Sequence, residues 1–296
     1  MEKLTNEENQ LIKDFHLHLE ANLYDDPSKS NVIVIRHAFT QQNKDQHIYE
    51  IKRGGIFKQD PEWRQLMLDE VYFDTPLHNV GIHQCLANQE KVNEIDFEVV
   101  LVSPLQRTLQ TCLYLFQNHP NRQKIHFLIY PLVSEGVCAT SCLAYETNTS
   151  LRERMTKLAQ SYNINLDFSL LDQKQVDFMW QLEQIQDEKI QGKYKDCLQK
   201  IKDEKEYRQF IIQEMTDSFP HFFENWELMF KRAQVANKEI SQFIQKYPNI
   251  VNNTKKLGIV THSHFITCMT AKGFNHDGIA DGIVLKNCQI APVFIE

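Results

Sequence analysis

The stretch VIVIRHAFTQQN, residues 32–43, is a solid apolar run that stops abruptly on Arg36 and His37 and continues into polar residues. Four consecutive Val and Ile residues lack the alternation of a half-exposed strand. They predict a strand buried on both faces, as in a parallel sheet covered by helices. Three more runs of this kind follow: FEVVLV (97–102), KIHFLIYP (124–131) and KLGIVTH (256–262). Helical patterns separate them. NVGIHQCLANQEKVN (79–93) spaces Val80, Ile82, Leu86 and Val92 at roughly helical intervals, PLQRTLQTCLYLFQ (104–117) follows the second strand, and SHFITCMTAKGF (263–274) follows the fourth. Ser103-Pro104 reads as the N-cap and first position of the 104–117 helix. Alternation of this kind predicts an α/β fold, a three-layer α/β/α sandwich with a mostly parallel central sheet.

The segments outside this pattern set the domain expectation. Residues 1–30 read as an N-terminal extension, helical over 7–23 and then broken by DDPSKS. Residues 31–296 read as one domain carrying an insertion at about 151–225. The insertion is rich in Lys, Gln and Glu, with Val176, Met179, Trp180, Ile185, Ile190, Tyr194, Leu198 and Ile201 at spacings that fit one long or broken helix. That aromatic and aliphatic stripe reads as core packing, not as a cofactor box.

With 42% apolar and 24% charged residues, the 296-residue chain can bury one large core. Its net charge of −7 is spread along the sequence, which argues against a nucleic-acid or anionic-membrane surface, so any phosphate site must be local. The first twenty residues have neither a basic segment followed by an apolar core nor an acid-poor, Arg-rich character, and no apolar run approaches a membrane span. Seven cysteines include no C-x-x-C pair. Reduced thiols and a cytoplasmic protein are expected.

In open parallel α/β sheets, ligands bind beyond the carboxyl ends of the strands. Applied here, that rule brings Arg36 and His37, Arg107 in the first turn of the 104–117 helix, Glu135 just past the third strand, and His262 to one edge of the sheet. Taken singly, each has a bland reading: a surface ion-pair partner, a satisfied core histidine, a solvated acid. Together they form a chemical set. Two guanidiniums match the oxygens of a phosphoryl group, two imidazoles can supply a nucleophile and a donor, and a carboxylic acid can protonate a leaving oxygen. A metal pair at His262 and His264 would be short of ligands and would sit beside two guanidiniums, so no metal or other cofactor is expected.

These blocks resemble the histidine phosphatase superfamily, also called phosphoglycerate mutase-like. RHAFTQQN, from Arg36 to Asn43, is similar to its R-H-G-x-[ST]-x-x-N signature, with Ala38 where glycine is commonest. DTPLHNVGIHQ (74–84), VLVSPLQRTLQT (100–111) and VTHSHFI (260–266) resemble further family blocks, and LKNCQI (285–290) resembles its last strand, with Asn287 in the usual place. The matches occur in the family's order. The resemblance implies His37 as a nucleophile that forms a phosphohistidine, with Arg36, Arg107, His262, Asn43 and Thr40 holding phosphate oxygens. It implies Glu135 as the general acid, with Glu146 or Asp74 as substitutes because no spacing fixes Glu135. Lys52, Arg53 and Lys58 fall where substrate-binding cations could lie, yet in a Lys-rich chain they read as solvated.

Three functions are compatible with this set. A metal-independent phosphomonoesterase is favoured. A phosphomutase would need a basic clamp for a second anionic group, and the insertion lacks a dense Arg cluster. A catalytically weak or inactive scaffold or assembly subunit, docking a protein partner through 151–225, is the alternative from a different class. The expected partner of the pocket is a phosphorylated small molecule or a phosphoprotein.

Overall fold

A computed structural model describes residues 3–20, 23–174, 180–200, 203–221 and 223–295. Its centre is a six-stranded sheet: β1 (Val32–Arg36), β2 (Phe97–Val102), β3 (His126–Ile129), β4 (Leu166–Asp167), β5 (Lys256–Thr261) and β6 (Ile290–Val293). The spatial order is β4-β3-β2-β5-β1-β6. All pairings are parallel except that of β6 with β1. Strand residues alternate between two cores. Ile33, Ile35, Val100, Val102 and Phe127 pack with Cys85, Leu109, Leu113 and Met155 of the helices on one face. Val32, Val34, Val99, Leu101 and Leu128 pack with Ala233, Ile240, Phe265 and Ile266 on the other. The expected three-layer α/β/α sandwich with a mostly parallel sheet is therefore the architecture, and the strands are near-continuously apolar because helices cover both faces of the sheet.

Local readings differ from the expectation in specific ways. The N-terminal helix is Asn6–Asp14, stopped by Phe15 and by His16 at φ 48°, so the segment expected to be helical to residue 23 turns early. The 79–93 pattern is two helices, Asn79–Ala87 and Gln89–Asn93, because the Asn88 side chain donates to the Gln84 and Leu19 carbonyls at the junction. The expected insertion is not helical throughout. Its first part forms the helix Asn148–Ser161 and then β4, an edge strand of the main sheet paired with β3. Its later helices Glu188–Lys200 and Glu204–Ser218 build a separate cluster with Phe73, Val137 and Leu143. Trp180 is buried in the main core, as the packing reading required, while Val176, Met179 and Ile201 lie outside the described residues. Among the described residues no helix is long and apolar enough to cross a membrane.

Candidate active site

β2, β5 and β1 are parallel neighbours, so the residues leaving their carboxyl ends meet in one place. The His37 amide donates to the Thr261 carbonyl at 2.9 Å, and the Ser103 amide donates to the Val260 carbonyl at 3.0 Å. These backbone links carry the sheet's register one residue past each strand. They set the His37 and His262 rings 5.2 Å apart, centroid to centroid, at 56°.

His37 Nδ1 lies 2.8 Å from its neighbour's carbonyl, that of Ala38. A carbonyl only accepts, so Nδ1 carries the proton and the lone pair of the neutral ring sits on Nε2. Burial holds the imidazole well below its usual titration range, and the Arg107 and Arg36 charges push it further down. His262 is pushed the same way, first by burial and then by Arg107, His37 and Arg232. Its Nε2 is 2.7 Å from Ser103 Oγ, and its Nδ1 is buried with no hydrogen-bond partner among the described residues.

The two guanidiniums are anchored through one nitrogen each. Arg36 Nη1 donates to the Leu285 carbonyl at 2.6 Å while its Nε is buried without a partner among the described residues. Arg107 Nη1 donates to the Ser141 carbonyl, also at 2.6 Å. Burial lowers the Arg36 guanidinium to about 10, with Glu135 opposing and Arg107 adding to the shift. Two neighbouring cations, one of them with an unpartnered buried nitrogen, have the chemistry to receive an anion.

Thr40 and Asn43 form a reciprocal cap on the helix Gln41–Arg53. Thr40 Oγ1 accepts from the Asn43 amide, and Asn43 Oδ1 accepts from the Thr40 amide. Asn43 Oδ1 also accepts from Asn287 Nδ2, which in turn reaches the His37 carbonyl. Asn287 therefore sits beside the site, although it lies in the turn before β6 and not within a strand.

Of the three candidate acids, Glu135 is buried and caps the helix Ser263–Thr270 that follows His262: Oε1 accepts from Phe265 and Gly136, and Oε2 from His264. Its proximity to Arg36 is felt in that group's shift. Asp74 is buried, adopts φ 42°, and accepts from the Gln106 amide one residue before Arg107. Burial raises its carboxyl to about 7 against the opposing Gln106 hydrogen bond and Arg107 charge. Glu146 pairs with Arg154 at the wall of a cavity of about 780 Å3 that also contains Asp74. Lys52 and Arg53 pair with Glu62, and Lys58 is exposed.

The cluster is closed. His262 is 0% exposed, Arg107 4% and His37 5%. A cavity of about 520 Å3 reaches Arg36 and Asn43, with His16, His47 and Lys286 also in its wall, yet neither His37 nor His262 lines it. Among the described residues no group of three or more His, Cys, Asp or Glu side chains is arranged to hold a metal ion.

Sequence reasoning missed Ser103 as a site residue. It was expected to cap the following helix, whose N-cap is instead Leu105, and its hydroxyl meets His262. A small hydroxyl directly after a buried strand that faces another reactive strand end was the available signal.

Residues 62–127 match the model of the histidine phosphatase superfamily, branch 1. That segment is under a quarter of the chain and includes Asp74 and Arg107. No curated protein matches the chain. Among solved structures, an ecdysone phosphate phosphatase from Bombix mori in complex with tungstate is similar at 11% identity and TM-score 0.44, covering 88% of this chain and 86% of that one. A putative alpha-ribazole-5'-P phosphatase from Escherichia coli K-12 is similar at 15% identity and TM-score 0.38, covering 80% and 76%. A phosphoglycerate mutase from Bacillus anthracis is similar at 14% identity and TM-score 0.39, covering 82% and 81%. The resemblance to the histidine phosphatase superfamily, read from motifs spread over the chain, is thus found independently by a family model over the segment that carries Arg107.

Proposed function

We propose that this chain is a metal-independent phosphomonoesterase that works through a phosphohistidine on His37. The observation that carries the reading is the His37 Nδ1 contact with the Ala38 carbonyl, which leaves the Nε2 lone pair as the only nucleophilic position on a ring kept neutral by its surroundings. Nε2 attacks phosphorus, the N–P bond forms, and the ester P–O bond breaks. Arg36, Arg107 and His262, with Asn43 and Thr40 at the helix start, take the charge that spreads over the phosphoryl oxygens. Water then releases phosphate from His37. Glu135 gives the proton to the departing oxygen and later takes one from water. The Asp74 carboxyl, raised to about 7, favours a second reading in which Asp74 is the donor.

The test is hydrolysis of a generic aryl phosphate in the presence of EDTA, with trapping of acid-labile label on His37 during turnover. Activity that survives chelation and is abolished by His37→Ala is expected. Activity lost on chelation, or unchanged in that variant, overturns the mechanism. The donor is identified by leaving group: its loss should slow an alkyl phosphate far more than an activated aryl phosphate, so Glu135→Gln and Asp74→Asn are compared on both. The closed cluster favours one alternative, an inactive assembly subunit on the same fold. Complete inertness of folded protein toward a broad panel of phosphate esters and phosphopeptides would select it.

A further inference from the structure

The loop beside Arg107 carries two cysteines that the phosphatase reading does not use. Cys138 Sγ and Cys142 Sγ are 3.6 Å apart and unbonded, and Cys138 Sγ lies 3.9 Å from His264 Nδ1. The two sulfurs are in van der Waals contact, and a disulfide brings them to about 2.05 Å. Between them stands Ser141, whose carbonyl holds the Arg107 guanidinium. We propose that Cys138 and Cys142 are a modification site, an oxidisable dithiol that peroxide closes to a disulfide, fixing Ser141 on Arg107 and locking the phosphate pocket in its closed arrangement.

The cysteines differ in the way this chemistry requires. The Cys142 thiol is lowered to about 7, chiefly by its contact with Cys138 and further by Arg107. Burial pushes the Cys85, Cys112 and Cys197 thiols up, and that of Cys268 up to about 12. Cys85 also lies against Cys288, but both are fully buried. Cys142 is itself only 2% exposed, and the half-buried Cys138 in contact with it gives the pair its one route to solvent, which Cys85 and Cys288 lack. The Cys142 thiolate attacks one oxygen of hydrogen peroxide: the S–O bond forms, the O–O bond breaks, and hydroxide leaves as water by taking up the proton that the thiol released to solvent on ionising. Cys138 Sγ then attacks the sulfenic sulfur of Cys142: the S–S bond forms, the S–O bond breaks, and a second water leaves with the Cys138 proton. Two thiols lose two electrons and one peroxide gains them.

The disulfide does not depend on the phosphatase reading, and only its effect on hydrolysis rests on that reading. The full chain is treated with hydrogen peroxide, remaining thiols are alkylated, and the linkage is mapped by mass spectrometry. A Cys138–Cys142 link, formed before any other cysteine is oxidised and reversed by dithiothreitol, is expected. Peroxide that oxidises other cysteines first, or leaves these two reduced, overturns the proposal. Aryl-phosphate hydrolysis is read in parallel. Reversible loss in the wild type, absent in Cys138→Ser and in Cys142→Ala, is expected, and a mapped disulfide with undiminished activity overturns the closure. If the chain hydrolyses nothing, the phosphatase reading fails while the mapped linkage still decides the modification site.

Discussion

The Arg232 guanidinium and the Glu224 carboxylate form a two-pronged pair, Nε to Oε1 at 2.7 Å and Nη2 to Oε2 at 3.0 Å, with both side chains 1% exposed. The pair grips the chain on either side of Glu135. Arg232 Nη1 donates to the Leu132 and Ser134 carbonyls, and Glu224 Oε2 accepts from the Val137 amide. Removing one partner leaves a buried charge uncompensated, which typically costs 3–5 kcal/mol. Arg232→Met and Glu224→Gln are each expected to lower the unfolding free energy by about that much in urea titrations. The double variant Arg232→Met/Glu224→Gln is expected to lose less than the sum of the two, since no orphan charge remains. Strict additivity would show that the pair does not act as a unit.

Thr40 has a structural task that is separable from any phosphate contact. Its hydroxyl closes the reciprocal cap with Asn43, so Thr40→Ala is expected to cost about 1 kcal/mol of stability, and Thr40→Ser to restore most of it. Thermal unfolding checks this. An unchanged midpoint in Thr40→Ala would mean that the cap contributes nothing.

How far the sequence could be read follows from where the information sits. The β1, β2 and β5 strands are short, near-continuous apolar runs whose length and β-branched content mark strands buried on both faces, and the residues at their ends follow from topology. Arg36, His37, Arg107 and His262 were therefore legible. β4 is two residues long and has no periodicity to detect, so it vanished into an expected helical insertion. Ser103 looked like a cap because Ser-Pro is a cap signal, and only the neighbouring strand's register shows that its hydroxyl faces His262. The Arg232–Glu224 brace joins residues eight apart to a loop about a hundred residues earlier, a relationship that no local pattern carries.

The buried titratable groups pull stability in opposite directions with pH. His37 and His262 have folded-state values well below 6.5, so the unfolded chain binds more protons than the native one once pH falls under 6.5. Their contribution is present above 6.5 and lost as pH falls toward the folded values. Asp74 is the reverse: raised from 3.8 to about 7, it contributes stability that is fully present below 3.8 and lost as pH rises through about 7. Immediately below 6.5, where the unfolded histidines take up protons that the native ones do not, the two histidines outweigh the one acid, so these three groups together make stability rise with pH. Asp74→Asn removes the opposing contribution and is expected to steepen that rise and to gain relative to wild type as pH moves from 5 to 8. Unfolding free energies of both proteins across that range test it, and parallel curves would show that Asp74 titrates normally.

Gly81 and Gly192 are both helical glycines, and the same substitution is expected to act oppositely at the two. In an open helix interior, alanine is favoured over glycine by about 1 kcal/mol. Gly192, in the helix Glu188–Lys200, has nothing within 4 Å of where a Cβ would stand, so Gly192→Ala is expected to stabilise by nearly that amount. At Gly81, in the helix Asn79–Ala87, a Cβ would come within 2.1 Å of the Phe39 carbonyl oxygen and 2.9 Å of the Phe39 nitrogen. Those are backbone atoms of the turn that follows His37, held against this helix by the His78 amide and the Gln84 side chain. The helix cannot keep its seat without displacing them, and the clash outweighs the gain in propensity. Gly81→Ala is expected to destabilise the protein and, because the displaced turn carries the Ala38 carbonyl that orients His37, to lower aryl-phosphate turnover beyond the loss of folded protein. Equal stabilisation by both substitutions would show that helix and turn are not in close contact.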